Sequence, residues 1–241
     1  MNLRTFHDRE EAGSMLAERL RGLPLHDPIV LAIPRGGVET GAALARGLGC
    51  ELDVVLSRKL RAPHQPELAI GAVSEDGSVY LNDFAATVAD AAFIEAERRR
   101  QVAEIASRRT RFRAVCPQAD VKGRSVILTD DGIATGATMI AALRTVRATG
   151  AKEIIVAVPV GSPSRIAAIR PLCDRVVCLQ QPADFQAVGQ FYRSFEQVED
   201  ARVMELLGRV AEEVSTRCHR HGLSAKAGPA LEAAVQTMPE D

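Results

Sequence analysis

"VILTDDGIATGATM", residues 126–139, runs an apolar stretch into two adjacent carboxylates, Asp130 and Asp131, and then into the small residues Ala134, Thr135, Gly136, Ala137 and Thr138. A short apolar run ended by turn residues predicts a buried strand, and the small residues after it predict the start of a helix through "ATMIAALRTVRATG", closed by Gly150. A strand that feeds directly into a helix is one arm of a parallel α/β sheet.

The alternation continues on both sides of this stretch. C-terminal to it come a strand "EIIVAVPV", a helix "SRIAAIR" ended by Pro171, and a strand "RVVCL". N-terminal to it, "PIVLAI", the small-residue helix "ETGAALARGLG" and "LDVVLS" form a βαβ unit. The fold class expected is α/β, a doubly wound, mainly parallel sheet flanked by helices.

Three segments stand outside that rhythm. "TFHDREEAGSMLAERL" reads as an amphipathic helix with Met15, Leu16 and Leu20 on one face and Thr5 as N-cap. "RKLRAPHQPELAIGAVSEDGSVYLN" begins as a basic, Pro-rich loop and passes into two short strands joined at Asp76-Gly77. "FIEAERRRQVAEIASRRTRF" reads as a long helix with Val102, Ile105 and Ala106 toward the core. Boundaries are set at 1–222 for the main domain and 223–241 for a frayed C-terminal tail.

The chain has 241 residues, enough to bury a sizeable core. Only 4% of them are aromatic and Trp is absent, so Ala, Val, Ile and Leu must fill that core. A net charge of -1 supplies no global field toward nucleic acid or an anionic membrane. The N-terminus lacks an apolar signal region, and no run reaches the roughly 18 to 20 apolar residues that a spanning helix needs, so a cytoplasmic location is expected. Five irregularly spaced cysteines suit neither a disulfide framework nor paired zinc ligands, and Cys218, His219 and His221 read as a polar helix end.

Chemistry concentrates at the strand ends, where doubly wound sheets bind ligands. Asp130 and Asp131 can accept hydrogen bonds from a vicinal diol such as ribose hydroxyls, or hold a divalent cation. Thr135 to Thr138 open a helix, whose unpaired N–H groups and positive dipole end favour phosphate. Together they describe a ribose 5-phosphate site. At the end of the first strand, "AIPRGGVETG" offers Arg35 as a cationic fork, with Gly36 and Gly37 letting main-chain amides approach an anion.

"VILTDDGIATGATM" resembles the phosphoribosyl pyrophosphate (PRPP) signature of the type I phosphoribosyltransferases. The stretches "DREEAG", "IPRGG", "RKL", "PELAIGAV" and "FQAVGQFY" extend this to a bacterial group of phosphoribosyltransferases, over roughly residues 3 to 215. The resemblance implies a pentosyltransferase. PRPP would be bound by Arg35, Gly36, Gly37, Asp130, Asp131 and Ala134 to Thr138, with Mg²⁺ as cofactor held at Asp130 and Asp131, directly or through substrate oxygens. Arg35 would stabilise the leaving pyrophosphate, on a loop that in this family often has a cis peptide. A mobile basic loop carrying Arg58, Lys59 and Arg61 would close over the substrate, with Lys59 the catalytic candidate.

A hood within 178–200 would contact the acceptor through Phe185, Phe191 or Tyr192, although such a cluster more often forms local core. Where the 6-oxopurine enzymes carry an Asp before the Thr-Gly, this chain has Ala134, which argues against hypoxanthine and guanine and leaves another nucleobase or an amine. His64 and Glu67 are weaker proton-handling candidates. The expected partners are small molecules, PRPP and its acceptor, with a homodimer left open. The competing reading is a non-catalytic PRPP or nucleotide sensor that touches nucleic acid through the Arg-rich helix; its interspersed Glu95, Glu97 and Glu104 favour a salt-bridged solvent face.

Overall fold

The structure, a computed structural model, describes residues 4–75 and 77–220. Helix α1 (Arg9–Leu20) leads into β1 (Ile29–Ala32), α2 (Gly36–Leu48) and β2 (Glu51–Val54). An excursion follows: β3 (Ser57–Ala62), β4 (Gln65–Ser74), β5 (Val79–Leu81), the single turn α3 (Ala85–Val88) and the long helix α4 (Ala91–Arg113). The chain then returns through β6 (Ser125–Thr129), α5 (Ala137–Ala148), β7 (Glu153–Val160), α6 (Pro163–Ile169), β8 (Arg175–Gln180) and α7 (Asp200–Arg220).

Five strands form one parallel sheet in the order β2-β1-β6-β7-β8. Its inner strands are largely apolar and buried along nearly their whole length because helices cover both faces. Val30, Ala32, Ile127, Ile155 and Ala157 pack under α1, α2 and α7, while Ile29, Leu31, Val126, Leu128 and Val156 pack under α5 and α6. The sheet is therefore doubly wound, as expected. Chain order reverses between β1 and β6, and the carboxyl ends of those strands flank the crevice where such sheets bind ligands.

Several local expectations change. The N-cap of α1 is Asp8, not Thr5: its carboxylate accepts from the Glu11 amide at 2.8 Å. The basic segment is not an open loop but β3 and the start of β4 in a separate antiparallel sheet, β3-β4-β5. The β4–β5 hairpin forms as expected, with Gly77 at φ 81° in its turn, while Asp76 lies outside the described residues. On α4 the buried positions are Glu97, Gln101, Ile105 and Phe112, and Ala106 faces solvent. This happens because the helix packs over a hairpin that offers polar partners: Gln101 accepts from Arg58 at 2.7 Å and donates to Glu97 at 2.8 Å. The 223–241 tail, Glu67's side chain and the Cys218–His221 cluster also lie outside the described residues or side chains.

The excursion is anchored by one ionic knot. Arg113, at the end of α4, donates to Asp53 on β2, to both Glu75 oxygens at 3.0 and 2.9 Å, and to the carbonyls of Val54 and Cys116. Burial pushes the Asp53 carboxyl above its ordinary range, against the pull of Arg113. Arg113→Met leaves Asp53 buried without its counter-charge and is expected to cost about 3–5 kcal/mol, read as a lowered midpoint in chemical denaturation.

Candidate active site at the sheet switch point

β1 and β6 are in parallel register, with Ala32 beside Thr129, and the Ile33 amide still donates to the Thr129 carbonyl at 3.0 Å. Beyond that point the two strands end, β1 leading into α2 and β6 into the acid pair. The Pro34–Arg35 peptide is cis, the feature the resemblance attached to this loop.

The first residues of α2 lie directly against the acids. A Cβ added to Gly36 would sit 2.1 Å from Asp131 Oδ2, and one added to Gly37 would sit 2.9 Å from both the Cα and the Oδ1 of Asp130. These glycines are needed for close approach rather than for φ freedom, since neither has a positive φ. The result is that the positive end of α2 lies over two carboxylates, in one crevice.

The two acids differ. Asp130 Oδ1 accepts from the Asp131 amide at 2.9 Å, and burial, followed by the neighbouring Asp131 charge, raises its pKa well above the usual carboxylate range. Burial also raises Asp131, but here the Arg9 guanidinium opposes it. Arg9 Nε donates to Asp131 Oδ2 at 2.9 Å. The main chain of Asp131 is held as well, its carbonyl accepting from the Tyr192 hydroxyl at 2.6 Å.

The phosphate loop follows. Ile133 is pinned by its amide donating to the Val160 carbonyl at 2.8 Å, which hangs the loop from β7. Ala134, Thr135 and Thr138 lie toward the surface, and Gly136 caps α5 at φ 80°. The side-chain contact at this cap is a long one, the Ala137 amide to Thr135 Oγ1 at 3.5 Å, so the amides of the first turn of α5 point at an open surface.

Arg35 stands on the other side of the crevice, where its Nη1 donates to Glu199 at 3.4 Å and lies 3.9 Å from Asp200, at the start of α7. Lys59 sits mid-strand on β3 opposite Ala72, and Arg58 is taken up by Gln101 and Glu104, so the basic segment is a structured hairpin wall. His64 is in its turn at φ 60°.

The hood segment reaches the site, and its aromatic rings form the local core that such clusters more often make. Phe191 and Tyr192 are buried with Phe6, and Phe185 packs on Phe191 at 5.4 Å between centroids. The Tyr192 ring lies between Phe6 and Phe195, and its hydroxyl is spent on Asp131. The segment also approaches through Val188, whose methyls lie 2.7 and 2.9 Å from where a Cβ on Gly132 would be. The Arg-rich helix is largely paired: Arg98 and Arg99 with Glu95, Arg109 and Arg113 with Glu75, and Arg111 with Asp200. Among the described residues no helix is long and apolar enough to cross a membrane.

Arg9, Glu39 and the role of the Tyr192 hydroxyl were not among the expected site features. "DREEAG" reads locally as the acidic first turn of a helix, and nothing in it announces a contact across 122 residues.

Comparison with known proteins identifies the family. A family model described as a phosphoribosyl transferase domain matches residues 6–195. A Mycobacterium tuberculosis protein of strains CDC 1551 and H37Rv, named provisionally as a phosphoribosyl transferase, is 44% identical over 209 residues, or 86% of this chain. The match covers 47% of that protein, so the chain spans about half the length of these curated relatives. The crystal structure of TT1426 from Thermus thermophilus superposes with a TM-score of 0.79 at 46% identity, covering 85% of this chain and 98% of that one. With a matching domain model over residues 6–195 and a relative 44% identical over 86% of its length, the chain belongs to the phosphoribosyl transferase domain family.

Proposed function

We propose that the protein transfers a 5-phosphoribosyl group from PRPP to a nitrogen acceptor and releases pyrophosphate. The observation that carries this reading is the packing of α2's first turn, Gly36 and Gly37, directly onto Asp130 and Asp131. It supports an anion-binding main chain, a diol-binding acid pair and a phosphate-binding start of α5 around one crevice, in the order pyrophosphate, ribose, 5-phosphate.

In this reading the amides of Ala137 and Thr138 and the hydroxyls of Thr135 and Thr138 hold the 5-phosphate, and the acid pair accepts hydrogen bonds from the ribose hydroxyls. The anomeric carbon–oxygen bond breaks, its electron pair leaving with pyrophosphate, and the acceptor nitrogen supplies the pair that forms the new C–N bond while losing its proton to solvent or a base. Arg35 and the α2 amides stabilise charge on the leaving group, and the two carboxylates lie beside the positive charge that develops on the sugar. Asp130 and Asp131 are the residues that would hold Mg²⁺, together with substrate oxygens, and the ion would offset pyrophosphate charge. Pyrophosphate entering the crevice competes with Glu199 for Arg35.

Ala134 is exposed at the loop and offers no side-chain acid, which supports an acceptor other than a 6-oxopurine. Incubation with PRPP, Mg²⁺ and a panel of nucleobases and amines should release pyrophosphate at a rate that depends on one acceptor class. Tight PRPP binding with no release for any acceptor would instead establish a sensor.

A further inference from the structure

Arg9 is a buried charge that the proposed reaction leaves without a task. It is the first residue of α1, 6% exposed, on a turn fixed by the Asp8 cap. From there its guanidinium spans three other parts of the molecule. Nε donates to Asp131 Oδ2 at 2.9 Å, and Nη1 donates to the Glu196 carbonyl at 3.0 Å and to Glu39 on α2 at 3.4 Å. Its planar face lies 3.8 Å from the centroid of the Phe195 ring.

We infer that Arg9 is a positioning residue that fixes the Asp131 carboxylate for recognition of a sugar hydroxyl, an inference that rests on the ribose reading of the acid pair. A carboxylate on an irregular segment has two soft torsions, and a hydroxyl is discriminated only if the acceptor oxygen is already in place. Asp131 is restrained at both ends: the Tyr192 hydroxyl holds its carbonyl and Arg9 holds one carboxylate oxygen. Oδ2 lies between Arg9 and the Gly36 backbone, and in this inference Oδ1 receives the ligand hydroxyl. Gly36 completes the arrangement, since a Cβ there would lie 3.1 Å from Arg9 Nε and would force the pair apart. Arginine suits this position because a planar fork can donate along two edges while an aromatic ring packs on its face, which an ammonium group cannot reproduce.

The test compares affinities of the full chain for ribose 5-phosphate, 2-deoxyribose 5-phosphate and inorganic phosphate. The wild type is expected to prefer the ribose compound. Arg9→Gln is expected to lose affinity for it by about 10- to 100-fold and to lose the preference, with inorganic phosphate affinity unchanged. Arg9→Lys, which keeps the charge and one donor, is expected to restore part of the preference. Unchanged ribose preference in Arg9→Gln would overturn the inference while leaving the ribose site standing. A wild type without ribose preference would overturn both. Should Arg9→Gln unfold, Arg9→Lys decides: a preference reduced severalfold supports the positioning role, and an undiminished one refutes it.

Discussion

The double replacement Asp130→Asn with Asp131→Asn is expected to abolish measurable PRPP binding while leaving the fold intact. A lost hydrogen bond from a sugar hydroxyl is worth about 1.5–3 kcal/mol at the Arg9-paired Asp131 and about 0.5–1.5 kcal/mol at Asp130, whose ionised form burial disfavours, so the two together weaken binding by about 30- to 2,000-fold. The single variants should separate in stability. Burial and the adjacent Asp131 charge disfavour ionised Asp130, and an Asn oxygen can still accept from the Asp131 amide. Asp130→Asn is therefore expected to leave the melting temperature unchanged or raise it. Asp131→Asn removes the nearest counter-charge of a buried Arg9, which keeps the longer salt bridge to Glu39. It should cost about 1–3 kcal/mol. Calorimetric titration with PRPP and thermal melts on the three variants check this, and PRPP affinity within twofold of wild type in the double variant would refute the ribose assignment.

Alanine at Gly36 or Gly37 should be almost as damaging, for a reason of space alone. On propensity, Gly→Ala inside a helix favours folding by about 1 kcal/mol. Contact opposes it: the new methyl would stand 2.1 Å from Asp131 Oδ2 at Gly36, and 2.9 Å from the Asp130 main chain at Gly37. Overpacking of that kind costs about 1–3 kcal/mol, so the clash wins and moves the α2 terminus off the acids. At Gly36 the obstructing atom is a side-chain oxygen that can swing away, which spares the fold and sacrifices the carboxylate's position. At Gly37 the obstruction includes main chain, so stability falls as well. Both variants are expected to bind PRPP at least about 10-fold more weakly, consistent with an ångström-scale displacement of binding groups. Gly208→Ala on α7 is the control: nothing lies within 4 Å of the added methyl, and it should stabilise by about 0.5–1 kcal/mol with binding unaffected. If Gly36→Ala and Gly37→Ala bind like that control, the close approach is not what builds the site.

The strands and helices of the parallel sheet were legible because each is recorded locally. "VILTDD" and "PIVLAI" are buried on both faces, so they carry unbroken apolar runs, and Gly136 and Gly150 mark helix ends by their positive φ. Local chemistry was also enough to single out Arg35, Gly36, Gly37 and the acid pair as belonging to strand ends. It was not enough for the basic segment, where Pro63, His64 and Pro66 read as loop. Antiparallel pairing with residues further along the chain and a wall formed by α4 make it strand instead. For the aromatics of 185–195 the sequence favoured local core but could not name what they pack against. Their burial depends on Phe6, which reaches them from the other end of the chain by pairing with Tyr192.

The sequence by itself determined the periodic pattern of buried strands and capped helices, and with it the crevice at the strand ends. Only the tertiary structure decided how the acids in that crevice are held. Arg9, Glu39, Tyr192 and the Gly36 contact come from segments remote from Asp131 and meet because α1, α2 and the chain after β8 stack on one face of the sheet. A hydrogen bond across 122 residues leaves no trace in any local run of sequence, because its geometry is set by the packing of the elements that carry its two ends.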